Sequence, residues 1–523
     1  MAGTVTAILT TVHDCDAVSD WTGTPTLDTE VYIQGTGSLS KKVSKTTSTH
    51  MKPITAVDLS DTIIYAWVMG SSIAQFDTKA GGGIRIRVEE GATPNWGEWY
   101  VAGSDEGYEG GWQCLAIRTT QAFSNQSTPA PDKTAVNAVG VVFGVVGSAA
   151  KINCWWDAIR YGTGLNIKGG TEAIPATFAD IVTTEENVNN RWGVVVKTEG
   201  VLMVQGRLTF GSTTAGEATY FKDTSKILVF RDRAFGIFYE LKVQGNGTAT
   251  TKVYFGDKPV DRGISGCIFS CAGASKYKFI ATDTNITNLG VYGCIFMDAD
   301  TISLPAYSAN KEVLNCTFEK CAEILPDTCI VKYCNFISAD DRGLRITYYP
   351  DLNITDCNFI NCPHCVHINF SDSVTFNNLK FSGSNGTDKW DIEHSVAGTL
   401  TILNTNGSNA EYVDETGGGS TNIETTVYLT IWVEDEDGDP VENAACYIEK
   451  ASDQTELMNK LSDATGKAQE TYNYGTGPDV DINIRVRKSS SGVTRYIPYR
   501  TTGTITSGGY TLTVVLIKDL IVV

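Results

Sequence analysis

One short phrase returns along the middle of the chain and limits its fold more than any other feature. It reads Gly266-Cys267-Ile268-Phe269, Gly293-Cys294-Ile295-Phe296, Asn315-Cys316-Thr317-Phe318, Tyr333-Cys334-Asn335-Phe336 and Asp356-Cys357-Asn358-Phe359, with a degenerate copy at Asn378-Leu379-Lys380-Phe381. The anchor positions 267, 294, 316, 334, 357 and 379 lie 27, 22, 18, 23 and 22 residues apart. A β-rich repeat of about 22 residues with no helix signal predicts a solenoid. Side chains alternate along a strand, so the Cys and Phe of each phrase face the same side. Stacked coils of a parallel β-helix then place Cys267, Cys294, Cys316, Cys334 and Cys357 in one interior column. Phe269, Phe296, Phe318, Phe336 and Phe359 form a neighbouring one. A buried free thiol serves there as a small, soft hydrophobe. Asn315, Asn335, Asp356 and Asn358 suit tight corners, where such side chains bond their own backbone.

Thr, Val, Ile, Tyr and Phe dominate many other segments, and 51 glycines accompany them. That is strand composition. The 523 residues suffice for about three or four domains. The fold class expected is all-β: an N-terminal jelly-roll sandwich over 1–168, a central right-handed parallel β-helix with an N-terminal cap over 171–416, and a C-terminal Ig-like sandwich over 421–523. Gly169-Gly170 reads as a joint, and Thr416-Gly-Gly-Gly-Ser420 as a flexible linker.

A formal charge of −19 argues against a nucleic-acid partner, because phosphate binding needs clustered Lys and Arg. No run of eighteen apolar residues is present, so membrane insertion is not expected. The start, Met1-Ala-Gly-Thr-Val-Thr-Ala-Ile-Leu9, lacks the charged and apolar regions of a signal peptide, which predicts synthesis in a cytoplasm. The 14 cysteines are dilute for a disulfide framework and many sit at coil positions, which favours reduced thiols.

In the first module, the early Gly35-Thr-Gly-Ser-Leu39, the late Gly111-Trp112 strand and the closing Trp156-Asp-Ala-Ile-Arg-Tyr-Gly162 resemble the jelly-roll carbohydrate-binding-module-like domains. The resemblance implies glycan binding through exposed aromatics, and Trp96, Trp99 and Tyr108 in a polar, Gly-rich loop are the candidates. In the last module, Asp435-Glu-Asp-Gly438-Asp-Pro440-Val441-Glu-Asn-Ala444 and Ser462-Asp463-Ala-Thr-Gly466 resemble the small Ig-like sandwiches of the carboxypeptidase-regulatory-like type. That match speaks to fold and is silent on chemistry.

Candidate chemistry is sparse. Cys362-Pro363-His364-Cys365 matches a thioredoxin-family redox motif, but that chemistry needs the first Cys at a helix N-terminus, and an alternating strand follows here. Cys357, Cys362, Cys365 and His367 have the residue types of a zinc site, yet the interior column already claims Cys357; no metal and no cofactor is expected. Asp435 to Asp439 has its glycine misplaced for a calcium loop and reads as a solvated turn. Glycosidases need two acids flanking the scissile bond, so Asp298 with Asp300, Asp340 with Asp341, and Asp351 are the weak catalytic candidates. All fall where turns are expected, and turns favour Asp for backbone reasons alone. The five His (His13, His50, His364, His367 and His394) lie in no nucleophile motif.

The order of modules resembles that of tailed-bacteriophage virion proteins, which decorate heads or form tail fibres and spikes, usually as homotrimers. The resemblance implies a structural, non-enzymatic protein on the virion surface, made in the host cytoplasm. Its partners would be itself, capsid or tail proteins, and host surface glycans. Two alternatives share the architecture: a tailspike depolymerase cleaving host polysaccharide, and a secreted glycan-binding adhesin.

Overall fold

The computed structural model describes the chain apart from residues 1–2, 45, 106–110, 148–150, 186–190, 199–200, 224–226, 232–239, 248–251, 258–265, 273–275, 305–309, 327–328, 348–353, 475–478, 489–494, 507 and 520–523. The described residues form two compact units, Met1–Cys329 and Ile330–Val523. The class is all-β, as the composition predicts, with sandwich and parallel β-helix architecture.

The first unit opens with a two-sheet sandwich. One sheet runs Thr26–Asp28, Ser38–Val43, Ile152–Gly169, Ile63–Gly70 and Gln113–Arg118, with Gly3–His13 against the second half of Ile152–Gly169. The other runs Thr47–Val57, Val136–Gly144, Ile84–Glu90, Asn95–Ala102 and Asn125–Gln126. Between them lie Leu39, Ile64, Val68, Ile86, Leu115, Val141, Phe143 and Trp156. Antiparallel strands alternate inward apolar and outward polar residues, the pattern of a half-buried sheet.

Strand Ile152–Gly169 belongs to two modules at once. Its first part pairs within the sandwich, and Gly164–Ile167 pairs in parallel with Arg207–Phe210 of the first coil. The sandwich and the coils therefore meet inside a strand, not at Gly169-Gly170. Gly164 has φ +145°, and a Cβ there would sit 1.9 Å from the Arg207 carbonyl oxygen, so only glycine admits the coil strand at this distance.

Helix Phe178–Glu185 closes the end of the coils. A capping arrangement starts it: Asp180 accepts from the Thr177 N–H at 2.8 Å, and Asp223 accepts from the Phe178 N–H at 3.0 Å. Phe178 then packs edge-on against Phe221, which meets Phe210, which meets Phe255. This aromatic plug covers interior side chains that would otherwise face water. Strand Val195–Thr198 pairs antiparallel with Val201–Val204, blunting the edge of the parallel sheet that follows.

Each coil runs through three strands, as in Ile268–Ala272, Tyr277–Ile280 and Asn288–Tyr292. Successive coils pair in parallel: Phe269 opposes Phe296, and Phe296 opposes Phe318. The rings stack at 5.3 Å between centroids in both steps. In the second unit Phe336, Phe359 and Phe381 repeat the pattern at 4.7 and 5.1 Å. Cys267, Cys294, Cys316, Cys334 and Cys357 are all fully buried.

Corners explain the rest of the phrase. The residue before the anchor adopts left-handed φ in Gly293, Asn315, Tyr333, Asp356 and Asn378, and so do Asp298, Lys320, Ser338 and Asn361 at the far end of the same strands. Asn315 and Asp356 thus occupy corners. Asn335 and Asn358 do not: both lie within strands, where the Asn358 amide donates to the Asn335 side-chain oxygen at 2.9 Å across one coil.

The second unit ends in a sandwich. Ser420–Asp435 lies between Lys467–Asn473 and Tyr510–Leu516, facing a sheet ordered Glu456–Leu461, Ala445–Lys450, Val480–Arg487 and Tyr499–Ile505. Ile431, Val433, Cys446, Ile448, Ile484, Val514 and Leu516 fill its core. The flexible linker expected at 416–420 is instead a tight turn. Gly417 donates to the His394 carbonyl, Ser420 donates to that of Gly398, and Ser420–Asp435 continues unbroken from coil to sandwich. The glycines serve the turn's geometry.

Two outcomes follow. Phe359→Ala removes a ring held between two others and lowers stability by about 3–5 kcal/mol, read as a lower urea midpoint of the second unit. Limited proteolysis of the full chain leaves 416–420 intact at protease levels that cut exposed loops, whereas a free tether would be cut there first; mass spectrometry of the fragments distinguishes the two.

Candidate functional site

Alternation along two neighbouring strands builds a charged and aromatic face on the N-terminal sandwich. In Ile84–Glu90 the residues Ile84, Ile86 and Val88 point into the core, which turns Arg85, Arg87 and Glu89 outward. Across the ladder these oppose Tyr100, Glu98 and Trp96. The Arg85 guanidinium sits 5.1 Å from the Tyr100 ring centre and bonds Glu98 at 2.9 Å. That of Arg87 sits 4.5 Å from the Trp96 ring centre and bonds Glu98 at 3.2 Å and Glu89 at 2.8 Å. Glu98 is only 2% exposed. One buried carboxylate thus orders two guanidinium groups, each laid over an aromatic ring. The result is a half-buried strip of aromatic and charged groups, in which the guanidinium groups cover one face of each ring.

Of the aromatics proposed from sequence, Trp96 is half-buried and lies on this strip, its backbone N–H donating to the Ser127 hydroxyl at 2.8 Å. Trp99 does not: alternation turns it inward, 2% exposed, with its indole N–H donating to the Gln121 carbonyl at 3.1 Å and its ring 4.6 Å from Phe123. It is a core residue. Both lie on strand Asn95–Ala102, not in a loop, and Tyr108 falls outside the described residues. The sequence reading missed Arg85, Arg87, Glu98 and Tyr100; the alternation of Ile84-Arg-Ile-Arg-Val88 was their signal.

The acidic candidates are dispersed. Asp298 occupies a left-handed corner, and Asp300, on strand Ala299–Ser303, pairs with Lys278 at 3.4 Å. Asp340 and Asp341 are exposed on a bend, where Asp341 pairs with Arg342 at 2.9 Å. Asp351 falls outside the described residues. Stacking of coils instead assembles a group that spacing along the chain conceals. Arg342 grips Glu393 through two bonds of 2.6 and 2.9 Å, and His364 meets Asp414 at 3.1 Å. Burial opposes ionisation of Glu393, but Arg342 and the neighbouring histidines outweigh it and hold the carboxyl below its usual range. Burial lowers the pKa of His367, whose ring bonds Ser395 at 2.7 Å.

All fourteen cysteines are buried free thiols. Burial pushes Cys321 and Cys446 up to about 12, which leaves them protonated and unreactive. The Cys362 and Cys365 side chains are buried, and Cys365 lies on strand His364–Ile368, with no helix at the motif. Among the described residues no group of three or more His, Cys, Asp or Glu is arranged to hold a metal ion. At the 435–439 turn Lys518 supplies the cation, bonding Asp435 at 3.2 Å and Asp437 at 2.8 Å.

Neither the known protein families nor the curated proteins hold a match to this sequence. Among solved structures the chain is similar to the family 30 carbohydrate-binding module of a cellulosomal cellulase of Clostridium thermocellum, at 14% identity and a TM-score of 0.18, over 31% of this chain and 90% of that one. A second family 30 carbohydrate-binding module matches at 12% identity and a TM-score of 0.18, over 31% of this chain and 82% of that one. Likeness at this level carries no argument about function.

Replacing Glu98 with Ala leaves Arg85 and Arg87 packed on the sheet without their carboxylate. The expected loss is about 3 kcal/mol for the sandwich, read from the tryptophan-monitored urea midpoint, with Glu98→Gln losing less.

Proposed function

We propose that this chain is a structural, non-enzymatic component of a tailed-bacteriophage particle, displayed on its head or tail as a homotrimer and contacting host surface glycans. The observation that supports it most is the strand shared by adjacent modules. Ile152–Gly169 in one unit and Ser420–Asp435 in the other each lock a sandwich to a stack of coils without a free linker. Coils filled with cysteine and phenylalanine columns supply stiffness and surface, and their packed interior leaves ligand contact to the outer faces. The strip around Trp96 and Arg87 offers the aromatic and hydrogen-bonding groups that a saccharide would use. Module order supports the particle assignment.

A depolymerase is the second reading. Arg342, His364, Glu393 and Asp414 favour it, because they gather two carboxylates, a guanidinium and an imidazole from neighbouring coils.

Labelled antibody against the full chain should decorate the surface of intact particles in electron micrographs. The purified chain should be retained on host polysaccharide while releasing no reducing ends. Release of reducing sugar that Glu393→Gln abolishes would replace the structural reading with the enzymatic one.

A further inference from the structure

The outer face of the first coils carries a second cleft, remote in sequence from the Trp96 strip. Strands Thr219–Phe221 and Lys252–Phe255 pair so that Tyr220 opposes Tyr254. On the next coil Tyr254 opposes Gly290, and the Tyr292 ring leans back over that glycine to continue the row. A Cβ at Gly290 would lie 2.4 Å from the Tyr292 ring and 2.5 Å from that of Tyr254, so the row exists only because position 290 is bare. Ring centres are 5.1 Å apart from Tyr220 to Tyr254 and 6.0 Å from Tyr254 to Tyr292.

The three tyrosines line a cleft of about 180 Å³, together with Glu172, Lys222, Lys252 and Asp257. Its far wall, the segment from Glu172 to Pro175, is fixed in place: the Ala176 N–H donates to the Tyr220 carbonyl at 2.7 Å, and the Lys222 N–H donates to the Ala176 carbonyl at 3.0 Å. Both walls therefore hang from the same strand, and the cleft is formed before any ligand arrives. Lys222 pairs with Asp257, and Tyr292 donates its hydroxyl to Glu312 at 2.7 Å. Burial raises the pKa of Tyr220 and Tyr254, so the phenols remain donors.

We infer that this cleft binds a neutral saccharide unit, the row of phenol rings packing against the apolar face of the sugar and the charged groups bonding its hydroxyls. Two ammonium groups are matched by two carboxylates in the lining, so no net positive field favours a phosphate or a sulfated chain. The volume and the mixed apolar and polar walls suit one sugar ring and part of its neighbour better than an extended peptide. This deepens the glycan-contact reading above and rests on it.

Titration of the full chain with cellotetraose, chitotetraose and isomaltotetraose, and with tetragalacturonate as the anionic arm, tests it by calorimetry up to about 10 mM. At least one neutral probe should bind, and tetragalacturonate should not. Tyr254→Ala and the exposed-site variant Glu172→Ala should each weaken that binding, the former about tenfold, while Tyr428→Ala, on the C-terminal sandwich, leaves it unchanged. Thermal midpoints confirm folding, and Glu172→Ala keeps the test open if Tyr254→Ala unfolds. If Trp96→Ala alone abolishes binding, the cleft is overturned and the glycan-contact reading stands. If no neutral probe binds, or tetragalacturonate binds better, the cleft assignment falls, and retention on host polysaccharide then decides the wider reading separately.

Discussion

The coils depend on backbone bonds that tie one corner to the next. The N–H of Gly293 donates to the Leu314 carbonyl at 3.0 Å, that of Tyr333 to Thr355 at 3.3 Å and that of Asp356 to Asn377 at 3.1 Å. The accepting carbonyl lies just before the left-handed residue of its own corner. The anchor cysteine, one residue after the corner, donates its thiol to that carbonyl: Cys294 to Tyr292 at 3.5 Å, Cys316 to Leu314 at 3.5 Å, Cys334 to Lys332 at 3.3 Å and Cys357 to Thr355 at 3.2 Å. Cys321 and Cys362 repeat the contact at the far corner of their strands. A thiol is small enough for the column and still a weak donor, so it adds a second, weak bond to carbonyls such as those of Leu314 and Thr355. Leu379 holds the same buried position in the last copy without a thiol.

With the corners set, register follows. A parallel ladder places like residues above like, so phenylalanine stacks on phenylalanine and Asn358 bonds Asn335. The same rule works on the outside, where it creates the Tyr220–Tyr254 pair and brings Arg342, His364, Glu393 and Asp414 together from separate coils. Structural and surface chemistry thus come from one repeat. What differs is only which side of the strand a residue occupies.

Much of the fold was legible in the chain because the phrase repeats both residue type and spacing. Asn335 and Asn358 were misplaced because Asn suits corners and ladders equally, and only the phase relative to Cys separates them. Helix Phe178–Glu185 was invisible to a search for long periodicity, although Thr177-Phe-Ala-Asp180 carried its start. Thr416-Gly-Gly-Gly-Ser420 misled because composition reports the freedom of an isolated chain, not the bonds it finds in a fold. At the candidate site, Trp96 was legible and Trp99 was misread, since a loop has no inside and a strand does. The tyrosine row was beyond reach: its members are neighbours only once coil lengths are known.

The shared strands carry one further implication. Tension between a sandwich and its coils would run along Ile152–Gly169 or Ser420–Asp435 and load the flanking ladders in shear, many bonds at once. A peptide tether at the same place would stretch and dissipate the pull. Built this way, each joint passes a tug on one module to its neighbour without slack.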